Sequence, residues 1–146
     1  MEEDAIPLLI HGESIKFNVD IFDKEKVFIK EELNLIISEF PKLRVVLEHI
    51  TTKEAVEFVR KHNLHATITP HHLLLDRNDI FRGGINPHNY CLPILKKAED
   101  KKALQEAALS GNSKFFLGTD SAPHYEKYKL SCCGCAGIFN SPVAVQ

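Results

Sequence analysis

The chain has 146 residues, of which 44% are hydrophobic and 26% are charged, and its formal net charge is −2. This length suffices for one domain with a core of its own, and the near-neutral charge gives no electrostatic argument for binding nucleic acid. No apolar run approaches the roughly 18 residues that a membrane helix needs, and the acidic start at 1–4 lacks the basic segment of a signal peptide.

The predicted elements alternate between strands and helices along the chain. Strands are expected at 7–10, 44–48, 66–69 and 115–117, where short apolar or β-branched runs meet polar residues. Helices are expected over 29–40, with Asp20 as a plausible N-cap, then from a Thr51/Glu54 capping box to about Lys61, and from about 99 to 110. The segments 70–93 and 121–146 are expected to be mostly irregular. This alternation predicts a parallel sheet.

Three of the apolar runs carry a metal-capable side chain at or near their C-terminal end, namely His11, His49 and Asp120. Active sites of (β/α) barrels lie at the C-terminal ends of parallel strands. The pattern therefore predicts an α/β fold of the (β/α)8 TIM-barrel type. Four strands are half of such a barrel, which typically needs about 250 residues, so we expect residues 1–146 to form a half-barrel of about four βα units.

Each candidate residue also has a plainer interpretation. Neutral imidazoles are common zinc ligands, but His11 and His49 could equally be hydrogen-bonded residues at strand ends. Asp120 could be a metal ligand, a general base or a turn residue. His124, four residues further along, could bind an anionic substrate or lie exposed in its loop.

The remaining histidines, cysteines and arginines give weaker signals. Adjacent histidines His71 and His72 are expected to be structural, although one of them could line the site. The cysteines at 132, 133 and 135 lack the partner pair of a structural zinc site, so a loop packed over the barrel is favoured. Their spacing does not suit a disulfide framework, which favours a reducing, cytoplasmic setting. Arg77 and Arg82 could bind a carboxylate or be solvated.

Six separate motifs resemble the dihydroorotases of the shorter, bacterial and plant type. The resemblance runs along the whole chain in the family's order, and its motifs are LLIHGE at 8–13, LEHITT at 47–52, ATITPHHL at 66–73, PHNYCLPILK at 87–96, GTDSAPH at 118–124 and CGCAG at 133–137.

The resemblance implies a metal-dependent amidohydrolase of pyrimidine biosynthesis, which interconverts N-carbamoyl-L-aspartate and L-dihydroorotate. It implies that His11 and His49 bind one of two zinc ions. Asp120 would bind the other zinc ion and act as general base. Leu92, through its backbone, His124 and Ala136 would contact the substrate. A small molecule is thus the expected partner, without nucleic acid or membrane, and the full-length protein could be a homodimer.

The chain lacks two parts of the family's pattern, the His-x-His motif and the lysine that is carbamylated and bridges the metals. The resemblance therefore implies that residues 1–146 are the C-terminal half of the barrel, strands five to eight, and are inactive alone. Three alternatives remain open. A partner chain completes the barrel, the chain is a non-catalytic interaction module, or it represents another cyclic-amide hydrolase of the same superfamily, against which only the resemblance of the CGCAG motif and of the Leu92 context argues.

Overall fold

Four parallel strands form one sheet in the computed structural model, which describes residues 1–146. The strands are β1 (Leu8–His11), β2 (Val45–Glu48), β3 (His65–Ile68) and β4 (Phe115–Leu117), and they lie side by side in chain order. Every neighbouring pair is parallel. This confirms the predicted parallel sheet, and parallel neighbours in chain order are also the arrangement found in a (β/α) barrel.

Six helices accompany the strands. They are α1 (Lys24–Phe28), α2 (Asn34–Glu39), α3 (Lys53–Lys61), α4 (Pro70–Leu74), α5 (Ala98–Ala108) and α6 (Glu126–Lys129). A π-helical turn at Ile29–Leu33 joins α1 to α2, and 3₁₀ turns lie at Arg77–Ile80, Pro87–Asn89 and Ser141–Val143. No helix combines the length and the apolar character needed to cross a membrane.

The main core lies between one face of the sheet and the helices. It contains 15 buried hydrophobic residues, among them Leu33, Leu47, Val59 and Leu104. On the strands these alternate with residues of the other face, as the two-residue period of a strand requires. On that other face Leu9 is 58% exposed and Phe116 is 47% exposed. One face of the sheet is thus covered by helices, and the other is largely open.

Some predicted boundaries and caps were wrong. The first helix begins at Lys24, and Asp20 instead accepts a hydrogen bond from the Phe22 N–H at 2.8 Å, as in an Asx turn. The N-cap of α3 is Thr52, whose side chain accepts from the Ala55 N–H. Thr51 does not cap the helix, because both its N–H and its hydroxyl donate to the buried carboxylate of Glu25, at 2.8 and 2.9 Å.

The segments expected to be irregular contain short helices. α4 follows β3 directly, with Pro70 in its first turn and Thr69 capping it, which is the position a helix tolerates for proline. His71 and His72 consequently lie on a helix, whereas the prediction treated them as extended chain. In the tail, α6 covers Glu126–Lys129.

Candidate active site at the C-terminal end of the sheet

His11 and His49 meet at the C-terminal ends of β1 and β2. Nδ1 of His11 lies 3.1 Å from Nε2 of His49, although the residues are 38 positions apart in the chain. The parallel register pairs His11 with Glu48, which places His49 one residue beyond the end of its strand. The structure thus brings together the two histidines that the sequence singled out.

A carboxylate holds the other nitrogen of His11. Oε2 of Glu13 lies 3.1 Å from His11 Nε2, and the Glu13 side chain is only 8% exposed. This hydrogen bond raises the pKa of His11 above its ordinary value, against the opposing effect of burial. Burial alone would raise the pKa of Glu13, but the bond to His11 and the charge of Lys96 outweigh it and the net shift is downward.

The backbone of His49 is held in a conformation that L-residues rarely adopt. Its φ is +39°, in the left-handed region. Its N–H donates to Thr67 Oγ1 at 2.6 Å, and that hydroxyl donates to Glu48 Oε2 at 2.7 Å. Since such strain persists only where the surroundings over-determine it, the bond from β3 helps to fix how the imidazole of His49 points.

Glu25 anchors the loop that follows His49. Its buried carboxylate accepts four hydrogen bonds, from the backbone and the hydroxyl groups of Thr51 and Thr52. Burial raises the pKa of the Glu25 carboxyl, and the charge of Lys96, itself 5% exposed, opposes this shift without reversing it. A residue of α1 therefore positions the loop between β2 and α3.

Asp120 lies three residues beyond β4, near enough to the histidine pair for its charge to act on both rings. It has a φ of +41° and an exposed side chain. Burial lowers the pKa of His49, while the charge of Asp120 acts in the opposite direction on His49 and also contributes to the raised pKa of His11. The third residue singled out from the sequence thus belongs to the same end of the sheet.

A second group of metal-capable atoms comes from His71, His72 and Cys91, whose ligand atoms lie within 4.8 Å of one another. Both nitrogens of His72 are already bonded: Nδ1 accepts from the Thr69 hydroxyl at 2.6 Å, and Nε2 donates to Pro93 O at 2.9 Å. Burial raises the pKa of the Cys91 thiol to about 12. These bonds favour a packed structural cluster over a metal centre.

His71 forms part of a buried link between β3 and β4. Asn140 Nδ2 donates to His71 Nδ1 at 2.7 Å and to Thr119 O at 3.0 Å. Burial, together with the charge of His49, lowers the pKa of His71 to about 4. His71 Nε2 and Asn140 Oδ1 are buried without a hydrogen-bond partner. The segments after β3 and β4 are thus joined through a residue of the C-terminal tail.

The residues expected to contact a substrate lie on neighbouring loops. His124 Nε2 donates to Ala136 O at 2.9 Å, and Gly137 N donates to Tyr90 O at 2.9 Å, two residues before Leu92. Leu92 is 41% exposed. The N–H of Ala136 donates to no other group of the chain. The turn that contains the three cysteines carries Ala136, and all four cysteines of the protein are free.

No protein-family model matches the chain, but single proteins do. A curated dihydroorotase of Idiomarina loihiensis is 57% identical over 148 residues, covering 100% of this chain and 43% of that protein. The dihydroorotase structure of Campylobacter jejuni superposes with a TM-score of 0.89 at 44% identity, covering 99% of this chain and 41% of that one. The dihydroorotase of Saccharomyces cerevisiae in complex with 5-fluoroorotic acid gives a TM-score of 0.87 at 34% identity, covering 99% and 43%.

The chain is homologous to the C-terminal part of the dihydroorotases. It spans less than half the length of the curated relatives and solved structures that it matches. The predicted resemblance is confirmed, and so is the fold class, since the matched structures are TIM barrels.

Zinc, the metal that the resemblance implies for dihydroorotases, fits the histidine pair. Two nitrogen ligands at about 2.05 Å in a tetrahedral site lie about 3.3 Å apart, close to the 3.1 Å between His11 Nδ1 and His49 Nε2. Glu13 on the far nitrogen of His11 matches the carboxylate–histidine arrangement that orients metal ligands.

Sequence reasoning missed four residues around the pair: Glu13, Thr67, Glu25 and Asn140. A signal existed only for Glu13, a carboxylate two residues after a candidate ligand and on the same side of an extended chain. Thr67, Glu25 and Asn140 act across elements, and no local pattern marks them. Arg77 and Arg82, left open from the sequence, lie over the Phe22 ring and beside Asp79, respectively.

Proposed function

We propose that this chain supplies the C-terminal half of a zinc-dependent dihydroorotase, which reversibly hydrolyses L-dihydroorotate to N-carbamoyl-L-aspartate. The convergence of His11 Nδ1 and His49 Nε2 carries the proposal, together with the homology to dihydroorotases. The remaining metal ligands belong to residues outside these 146, either of a longer chain or of a partner chain.

His11 and His49 would hold one zinc ion, and Asp120 would hold a second. Bound zinc supplies a water of lowered pKa and a polarised ring carbonyl. Glu13 keeps the Nε2 hydrogen of His11 engaged, so that Nδ1 presents its lone pair. Thr67 accepts a hydrogen bond from the backbone N–H of His49. Glu25 holds the loop that follows His49.

Asp120 moves the proton in this mechanism. The oxygen of water bonds to the ring carbonyl carbon as its proton passes to the Asp120 carboxylate. The carbon–nitrogen bond then breaks, and Asp120 returns the proton to the leaving ring nitrogen. The proposal of this role is supported by the exposed side chain of Asp120, which lies near enough to His49 for its charge to act on that ring.

Ala136 and His124 would bind the ring carboxylate of the substrate, and the backbone at Leu92 would bind the ring. The free N–H of Ala136 is a donor for a carboxylate oxygen. Because His124 Nε2 donates to Ala136 O, this histidine also holds the loop on which that N–H lies. The protein is proposed to work in a reducing, cytoplasmic setting, which the four free cysteines support. The complete barrel is proposed to form a homodimer.

The test is to complete the barrel. The chain is co-expressed with the N-terminal part of the Idiomarina loihiensis relative, and the purified complex is assayed for hydrolysis of L-dihydroorotate. We expect turnover that a chelator removes and zinc restores, with none from the chain alone. Asp120→Asn should abolish turnover, whereas Asp4→Asn, an exposed residue away from the sheet end, should not. A folded, zinc-loaded complex without turnover, or activity that survives Asp120→Asn, would contradict the proposal.

A further inference from the structure

Lys129 is a buried cation whose hydrogen bonds all go to backbone carbonyls. It is 5% exposed at the end of α6. Its Nζ donates to Tyr90 O at 2.9 Å, to Cys135 O at 2.8 Å and to Gly137 O at 2.8 Å. An ammonium group has three N–H donors, so every donor of Lys129 is used within the chain.

The three carbonyls belong to two loops that are far apart in sequence. Tyr90 precedes Leu92 on the loop after the 3₁₀ turn Pro87–Asn89, and Cys135 and Gly137 flank Ala136 on the cysteine-rich turn. Tyr90 O also accepts from the Gly137 N–H at 2.9 Å. Lys129 thus ties together the loops that carry two of the proposed substrate contacts.

The cysteine-rich turn also packs tightly against a third loop, the segment that follows Asp120. Gly137 has a φ of +146°, and a Cβ at this position would lie 2.6 Å from the Cβ of Ala122. Ala122 N donates to Ile138 O at 3.1 Å, which joins the turn to the segment that follows Asp120. Ala136 therefore sits between two carbonyls that Lys129 holds, on a turn pressed against the loop that carries His124.

We propose that Lys129 is a positioning residue that fixes the Ala136 N–H relative to Leu92 and so sets the affinity for a cyclic amide bearing a ring carboxylate. This inference rests on the proposed function. Lys129 acts through the shape of the loops and not through its charge on the substrate, because its donors are saturated and its ammonium is buried.

Two variants separate these roles. Lys129→Met keeps the length of the side chain and removes the donors, whereas Lys129→Arg keeps the charge in a planar group that cannot donate to three carbonyls converging on one atom. The matched control is Lys127→Met, which removes an exposed lysine of the same helix. Hydrogen exchange of the 131–138 amides is measured on the chain itself. KM and kcat for L-dihydroorotate are measured on the completed barrel.

We expect both Lys129 variants to speed exchange at Gly137 and to raise KM about tenfold, with kcat changed less than about threefold. Lys127→Met should match the wild type in both measurements. KM does not depend on the fraction of enzyme that is folded. Partial unfolding of a variant would therefore lower the apparent kcat and leave KM unchanged, which is the opposite of the expected result. A KM for Lys129→Arg equal to that of the wild type would overturn the inference in favour of a charge effect.

The two proposals fail in distinguishable ways. A completed wild-type barrel without turnover removes the proposed function and the substrate part of this inference, while the exchange measurement still decides whether Lys129 clamps the loops. Unchanged exchange at Gly137 in both Lys129 variants overturns the clamp even where the wild-type enzyme is active.

Discussion

His11 Nδ1 faces His49 Nε2 at 3.1 Å across the ends of two neighbouring parallel strands. The two rings lie edge to face, with centroids 4.7 Å apart. Burial lowers the pKa of His49, which favours the neutral form that a metal requires. Three surrounding residues support the pair: Glu13 holds the ring of His11, Thr67 holds the backbone N–H of His49, and Glu25 holds the loop that follows His49.

Glu13→Gln should weaken zinc binding while the protein stays folded. Glutamine has nearly the same size but lacks the negative charge that makes the imidazole of His11 a stronger ligand, and losses of 10–100-fold are typical for such partners. Zinc affinity is measured by competition with a chelator of known affinity. Glu3→Gln, on an exposed residue, is the matched control. An affinity equal to that of the wild type would show that Glu13 does not support a metal ligand.

Thr67→Val should destabilise the chain by about 1–3 kcal/mol, because it leaves the buried N–H of His49 without an acceptor. Valine has the shape of threonine, so the loss comes from the hydroxyl and not from packing. Thr67→Ser keeps the hydroxyl and should retain most of this stability. Urea unfolding measures both variants, and a valine variant as stable as the serine variant would contradict the role of this bond.

Glu25→Gln should lower the free energy of unfolding by about 3 kcal/mol. One carboxylate oxygen becomes an NH2 group, which would face the N–H and hydroxyl donors of either Thr51 or Thr52. Glu57→Gln alters an exposed glutamate of α3 and should change stability by less than about 0.5 kcal/mol. Chemical denaturation compares the two. Equal effects would mean that the loop after His49 does not depend on Glu25.

The chain should lose stability as the pH falls from 7 to 5. Burial lowers the pKa of His71 to about 4 and that of His72 well below its usual value. Between about pH 4 and 6.5 the unfolded chain therefore binds more protons than the folded chain, and the free energy of unfolding decreases as the pH drops. His71 alone should account for about 2 kcal/mol at pH 5.

Urea unfolding at pH 7 and pH 5, with chelator present, measures this dependence. His71→Asn removes one of the two groups and should give a shallower dependence on pH than the wild type. The raised pKa of His11 acts in the opposite direction in both proteins, so the comparison isolates His71: a variant with the same pH dependence as the wild type would mean that His71 is not buried in its neutral form.

The sheet and its order could be predicted from the sequence because each strand is a short apolar run between helical patterns. The errors lie where a distant residue overrides a local signal. Thr51 carries the pattern of a capping box, yet Glu25 captures its N–H and hydroxyl, and Thr52 caps the helix. Likewise α4 forms because Thr69 caps a segment that the prediction left irregular.

The candidate site was predictable only in part. His11, His49 and Asp120 follow apolar runs, and the rule that chemistry collects at the C-terminal ends of parallel strands brings them together. The bond between His49 N–H and Thr67, and the link from Asn140 to His71, join residues 18 and 69 positions apart. Such contacts depend on strand register and on the path of the tail, which no local sequence pattern encodes.

Anomalous diffraction at the zinc edge, from crystals of the zinc-loaded protein, tests the central claim most directly. We predict a zinc peak about 2.0–2.1 Å from both His11 Nδ1 and His49 Nε2. A zinc peak at His71, His72 and Cys91, with none between His11 and His49, would contradict the assignment of the histidine pair as the metal half-site.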